Sequence, residues 1–238
     1  MSTLGHPRVH LRLTDSTNER ARALALAGAP HGTLVTASEQ SDGRGRQGRR
    51  WSAPAGSCLL MSLLVRSPPA LLPLASAVAV CEVAGAQAQI KWPNDIVVAR
   101  AGGLAKLAGI LIEARPQEHW AVIGIGLNVA LRLEDLPAEL QSSAATLGAG
   151  AGDIEPILAR LLEALERRLE EPAAATLEAW GLRDALRERE ISWSGPEGVP
   201  AAAHGRAQGI DGTGRLVVAL KDGGQRTLDA GEVHLSKA

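Results

Sequence analysis

The stretch Asp42-Gly-Arg-Gly-Arg-Gln-Gly-Arg-Arg-Trp51 sets four arginines among three glycines. Glycine lets a backbone close on a ligand, and the guanidinium fork binds carboxylate or phosphate oxygens two at a time. The chemistry such a loop suits is the capture of an oxyanion. Gly43, Gly45 and Gly48 also satisfy G-x-G-x-x-G. A dinucleotide-binding turn is excluded, because Trp51, Pro54 and Gly56 lead to another strand and not to a helix. A kinase glycine loop lacks its partner motifs, and there is no Walker A sequence. Taken alone, the loop also reads as a solvated basic turn or a nucleic-acid contact.

Four further stretches place polar groups where chemistry could use them. Lys91-Trp-Pro-Asn-Asp95 is at its plainest a turn between strands, with Pro93 and Asn94 setting the backbone. Lys106-Leu-Ala-Gly-Ile-Leu-Ile-Glu113 is an apolar strand with charged ends, for which a snorkelling lysine is the plain alternative. Gly124-Ile-Gly-Leu-Asn128 is a glycine-interrupted strand that would let a ligand approach the backbone. Ser16-Thr17-Asn18 is explained by helix capping alone. Residue usage favours function. The chain has no Phe or Tyr, three Asn and four Lys, a pattern of GC-rich coding in which Arg, Ala, Gly and Leu fill the gaps. All three Asn (Asn18, Asn94, Asn128) and two of the four Lys (Lys91, Lys106) fall inside these stretches. A lysine kept where arginine serves elsewhere marks a tight site for a compact ammonium.

The elements that must hold these groups follow from pattern. Ser16 to Ala27 reads as a helix, with Ser16 and Glu19 at capping-box spacing and Gly28 and Pro30 as the stop. Thr33 to Ser38 and Ser57 to Val65 read as strands, separated by a loop over Gln40 to Arg50 without apolar residues. Leu71 to Ala86 is a buried helix. Ile90 to Trp92, Asp95 to Val98, Leu104 to Glu113 and Trp120 to Val129 are four strands, spaced for hairpins in an antiparallel or mixed sheet. Ile154, Ile157, Leu158, Leu161, Leu162, Leu165 and Leu169 mark one face of an amphipathic helix, and a second helix spans Ala173 to Arg187. From Glu190 short strands alternate with Asp211-Gly212 and Asp222-Gly223 turns, a small β-barrel or meander.

At 238 residues the chain suits one large domain and a small one, divided here as residues 1–188 and 189–238. A net charge of -1 and 2% aromatic residues give no case for bulk nucleic-acid binding. Cys58 and Cys81 lie in apolar runs and read as buried thiols. The N-terminal His6, Arg8, His10 and Arg12 do not make a signal peptide, and the longest apolar run, Leu71 to Val83, is shorter than the roughly 18 residues of a membrane span. A soluble, cytoplasmic protein is expected. The histidines and cysteines lack zinc-ligand spacing and offer no nucleophile pair.

In this order, from about Leu11 to Val129, the five stretches resemble the biotin–protein ligase family; the β-rich C-terminus, with Ala230-Gly-Glu-Val233, is similar too. The resemblance implies an α+β fold: a mixed or antiparallel sheet with helices like that of class II aminoacyl-tRNA synthetases, then an SH3-like barrel. It implies ATP-dependent attachment of biotin, through biotinyl-5'-adenylate, to a lysine of a biotin carboxyl carrier protein. It implies biotin contacts from Ser16, Thr17, Asn18, Gln40, Arg44, Gly45, Arg46 and Lys106, with Lys106 reaching both biotin carboxylate and α-phosphate. Arg44, Arg46 and Lys106 are expected to be the catalytic cations. Trp51 and Asn128 are expected at the adenine end, Lys91 on the nucleotide, and Asn94 with Asp95 on the nucleotide or its Mg²⁺. With only fifteen residues before Ser16, no N-terminal DNA-binding domain and no specific nucleic-acid partner are expected; a homodimer is allowed. The alternatives are a ligase for lipoate or another small acid, or a non-enzymatic nucleic-acid-binding protein. One departure is plain: family Tyr and Phe positions around biotin must be filled by other residues here.

Overall fold

The computed structural model describes residues 4–194, 203–229 and 231–235. Strand β1 (Arg8–Leu11) is followed by helix α1 (Thr17–Leu26) and by β2 (Leu34–Ala37), which pairs with β1 in parallel. A short hairpin, β3 (Gly43–Arg44) and β4 (Arg50–Trp51), precedes β5 (Cys58–Arg66) and helix α2 (Leu72–Ala84). Then come β6 (Gln89–Lys91), β7 (Asp95–Arg100), β8 (Gly103–Arg115) and β9 (Trp120–Asn128). The result is a seven-stranded mixed sheet, ordered β1-β2-β5-β9-β8-β7-β6. Helices α3 (Ala138–Gln141), α4 (Ile154–Glu170) and α5 (Ala173–Gly181) follow. A separate five-stranded antiparallel sheet closes the chain: β10 (Glu190–Ser194), β11 (Ala203–Ile210), β12 (Leu216–Ala219), β13 (Gln225–Leu228) and β14 (Glu232–Leu235), ordered β13-β12-β11-β10-β14.

Strand alternation assigns each residue to a face. Leu59, Met61, Leu63 and Val65 of β5 and Ala121, Ile123, Ile125 and Leu127 of β9 enter the main core with α2 and α4. Helix α2 is apolar almost all round and buried almost all round, whereas α4 buries the stripe Ile157, Leu158, Leu161 and Leu165. The opposite face takes α1 through Ala21, Ala25, Val35, Leu64, Trp120 and Val122. Along that face the next positions are Ser62, Gly124 and Gly126, too small to fill it.

Several expectations change. Ser16 is the N-cap of α1, but its own side chain makes no capping hydrogen bond; Glu19 turns to arginines instead, so the capping box does not form. The helix expected over Ala173 to Arg187 ends at Gly181, and residues 183–185 pair with the edge strand β6 through Ile90. The loop over Gln40 to Arg50 contains the β3–β4 hairpin and a 3-10 turn. Strand β1, Arg-Val-His-Leu and mostly exposed, is too short and polar to mark a strand in sequence. Ala230 of the C-terminal motif lies outside the described residues. No helix among the described residues is long and apolar enough to cross a membrane.

Both cysteines are buried and free. Desolvation pushes the Cys58 thiol up to about 11 and the Cys81 thiol up to about 12. Neither should react with iodoacetamide in the native protein at neutral pH, and both should after denaturation, as counted by mass spectrometry. Labelling of the native chain would contradict the packing around β5 and α2.

Candidate active site

Ser16, Thr17, Asn18, Gln40, Arg44, Gly45, Arg46, Trp51, Lys91, Asn94, Asp95 and Lys106 line one cavity on the open face of the large sheet. With Gly124 and Gly126, which also line it, five stretches far apart in sequence meet at one place. The floor is where α1 starts. The Thr17 amide donates to Gln40 Oε1 at 2.7 Å. Asn18 is buried: its Oδ1 accepts from the Ser62 hydroxyl at 2.6 Å, and its Nδ2 donates to Glu113 Oε2 at 2.8 Å. Ser62 was not expected here, though a lone hydroxyl inside Cys58-Leu-Leu-Met-Ser-Leu-Leu-Val65 was a readable signal.

The glycines of β9 and β8 explain the room. A Cβ on Gly124 would lie 2.1 Å from Asn18 Oδ1, and one on Gly126 would lie 2.6 Å from the Trp51 ring. Gly109 pairs with Gly126 across the strands and also lies under Trp51. The space expected for a ligand against the strand is therefore taken by two side chains of the protein itself, which in turn face the cavity. Register also shifts where β7 meets β8: Ile96 pairs with Ala108 but Val97 with Lys106. Ala105 and Leu107 point to the core, and so do Ala108 and Ile110. This bulge turns Lys106 to the same side as Gly109 and Leu111, which simple alternation would have denied it.

The cations converge on this face. Lys106 Nζ sits 2.7 Å from Asp95 Oδ1 and 5.6 Å from the Trp51 ring centroid. Arg46 donates to Asn94 Oδ1 at 3.3 Å, and Asn94 Nδ2 is anchored on the Ile110 carbonyl at 2.8 Å. Burial lowers Arg46 from the ordinary arginine range; Asp95 opposes this and Arg49 adds to it. A half-buried guanidinium with only Asp95 as nearby countercharge among the described residues favours an anion beside it. Arg44 reaches Glu19 at 3.0 Å and Glu113 at 3.7 Å. Trp51 Nε1 is buried without a hydrogen-bond partner among the described residues, an open donor in the cavity wall.

Asn128 does not line the cavity. It is buried, and its Nδ2 donates to the carbonyls of Ala145 at 2.7 Å and Lys106 at 3.4 Å. Ala145 N–H in turn donates to the Lys106 carbonyl at 2.7 Å. Asn128 therefore ties the segment after α3 to the backbone beneath Lys106. The apolar lining comes from Leu60, Met61, Ile110, Leu111, Ile125 and Trp92. The second sheet also takes part: Trp92 Nε1 donates to the Gly214 carbonyl at 3.1 Å, and Gly231 and Val233 reach the cavity wall.

Asp95 is the only carboxylate among the described lining residues, and no three metal-ligating side chains cluster among the described residues. Such a donor set fits Mg²⁺ that takes most of its ligands from phosphates and water.

Comparison with known proteins defines the class. Residues 10–129 match the Biotin/lipoate A/B protein ligase family, and residues 201–236 match the Biotin protein ligase C terminal domain. The chain is 37% identical to the biotin--[acetyl-CoA-carboxylase] ligase of Mycobacterium tuberculosis, covering 93% of this chain and 86% of that protein. It is 32% identical to the bifunctional ligase/repressor BirA of Bacillus subtilis, over 95% of this chain and 74% of the relative. Among solved structures, the biotin protein ligase from Aquifex aeolicus in complex with biotin and ATP matches with a TM-score of 0.79 at 25% identity, over 98% of this chain and 100% of that one. The chain belongs to the biotin/lipoate protein ligase family.

Proposed function

We infer that the protein is a biotin–protein ligase, which uses ATP to attach biotin to a lysine of a biotin carboxyl carrier protein such as that of acetyl-CoA carboxylase. The observation that carries this is the meeting of Lys106, Arg46 and Arg44 with Ser16, Thr17 and Asn18 at one cavity. One end offers neutral donors and acceptors, the other a cluster of cations.

In the first step a biotin carboxylate oxygen bonds to the α-phosphorus of ATP, and the bond to the β-phosphate bridging oxygen breaks, releasing pyrophosphate. Both reactants are anionic, so the barrier depends on preorganised positive charge. Lys106, Arg44 and Arg46 supply it. Asp95 holds Lys106 in place and yields it to phosphate, and Lys91 faces the nucleotide. Asn94 and Asp95 would hold Mg²⁺, which when bound neutralises phosphate charge. Ser16, Thr17, Asn18, Gln40 and Gly45 hold the polar end of biotin; Trp51 offers an aromatic surface to adenine. In the second step the acceptor amine attacks the anhydride carbonyl, a proton leaves the nitrogen, and AMP departs. Asn128 supports Lys106 from behind.

The fold is read as a class II synthetase-like catalytic domain, residues 1–188, with an SH3-like domain over 189–238, a reading that the five-stranded antiparallel sheet supports. A cytoplasmic location follows from the carrier as partner. No specific nucleic-acid contact is proposed, since Arg44 pairs with Glu19, Arg50 with Asp42 and Arg46 with Asn94 instead of forming an open basic face.

The test is transfer. With labelled biotin and ATP the protein should label a carrier domain at one lysine, and a carrier lacking that lysine should stay unlabelled; label on neither would overturn the reading. The hairpin also acts as a lid over the adenylate, excluding water from the anhydride. Arg46→Gly removes one clamp and should release adenylate on the order of tenfold faster, the loss of one charge-assisted hydrogen bond. Unrelated proteins present in the reaction should then become biotinylated. Unchanged retention in Arg46→Gly would restrict the arginines to the first chemical step.

A further inference from the structure

Glu113 touches no part of the cavity reserved for reacting atoms, yet it joins two halves of the site. Its Oε2 accepts from Asn18 Nδ2 at 2.8 Å, on the pocket floor. Its Oε1 lies 3.3 Å from Arg22 Nη1 and 3.7 Å from Arg44 Nη1, the latter on the hairpin. Glu19, one turn into α1, pairs with the same two arginines at 3.3 and 3.0 Å. Two carboxylates and two guanidiniums thus balance, and only Glu113 also grips the floor. Asn18 depends on that grip. Its Oδ1 is taken by Ser62, and its amide nitrogen otherwise reaches only the Leu111 carbonyl at 3.4 Å.

We propose that Glu113 is a positioning residue that fixes the Asn18 amide for biotin with one oxygen and, with the other, together with Glu19, holds Arg44 and the hairpin over the site. This rests on the biotin-ligase reading. Occupancy of the floor and closure of the hairpin are then coupled through one carboxylate. Loosening the Asn18 amide weakens biotin binding, and removing negative charge from the quartet loosens the lid.

Three variants separate the two arms. Glu113→Ala should raise the KM for biotin about 10- to 100-fold and also speed adenylate release, because a buried donor loses its charged acceptor. Glu113→Gln keeps an acceptor oxygen for Asn18 and should bring that KM back to within about threefold of the parent, while release stays fast because the charge is gone. Glu19→Gln never touches Asn18 and should speed release while the KM for biotin stays near the parent value. The measurements are steady-state KM for biotin and kcat, and the rate at which preformed biotinyl-adenylate leaves each variant. A merely structural Glu113 would lower the thermal midpoint and kcat in both of its variants without this split. If Glu113→Gln is as poor as Glu113→Ala in KM, or Glu19→Gln raises KM equally, the Asn18 arm is wrong. If release is unchanged in all three, the hairpin arm is wrong. Should Glu113→Ala fail to fold, the two glutamine variants still decide. A parent protein that makes no biotinyl-adenylate overturns the functional reading as well; an active parent matched by its variants overturns this inference alone.

Discussion

Lys106→Ala should lose biotinyl-adenylate synthesis by about 10²–10³-fold, the cost of removing one preorganised electrostatic stabiliser. The fold should be unaffected: the Lys106–Asp95 pair is part-exposed, and such pairs add little to stability. The bulge in β8 delivers a single ammonium to a point between Asp95 and the Trp51 ring, above Gly109. Lys106→Arg should not rescue, because a planar fork needs space that Gly109 and Trp51 leave only for a compact group. Pyrophosphate exchange near the parent rate in Lys106→Ala, with an unchanged melting midpoint, would remove Lys106 from the chemistry.

Gly124→Ala is the second large effect. The added methyl meets Asn18 Oδ1 at 2.1 Å, and Asn18 has little freedom to yield, being held by Ser62 on one side and Glu113 on the other. Overpacking of this kind costs about 1–3 kcal/mol. The cheaper escape is to swing the Asn18 amide out of the biotin pocket. The KM for biotin should rise on the order of 10- to 100-fold, with a smaller change in the KM for ATP, if most of that energy falls on the biotin end. Equal weakening of both substrates, or of neither, would show that Asn18 is not where biotin is held.

Much of this site is legible in the sequence, for a definite reason. Asn and Lys are scarce in this chain, so their clustering in short polar stretches carried information that an average composition would have hidden. Strand patterns were strong, and the mixed sheet and terminal β-sheet followed from spacing. What stayed hidden depends on long-range geometry. Simple alternation puts Lys106 and Gly109 on opposite faces, and only the bulge at Leu107 brings them together. The glycines of β9 read as an approach route for ligand, but their space goes to Asn18 and Trp51, contacts made across more than seventy residues. Asn128 looks like a ligand residue from the scarcity of Asn and the family resemblance; its amide nitrogen instead donates to backbone carbonyls of its own chain. Ser62 reads as strand interior, and the reach of Val233 into the cavity is visible only through the C-terminal motif Ala230-Gly-Glu-Val233, not from local pattern.

The central claim is that this cavity activates biotin with ATP, and pyrophosphate exchange tests it without a carrier protein. Labelled pyrophosphate should enter ATP only when biotin is added, not with lipoate and not without an acid, and the exchange should fall by about 10²–10³-fold in Lys106→Ala. Exchange driven by lipoate in preference to biotin, or no exchange with any acid, would contradict the account.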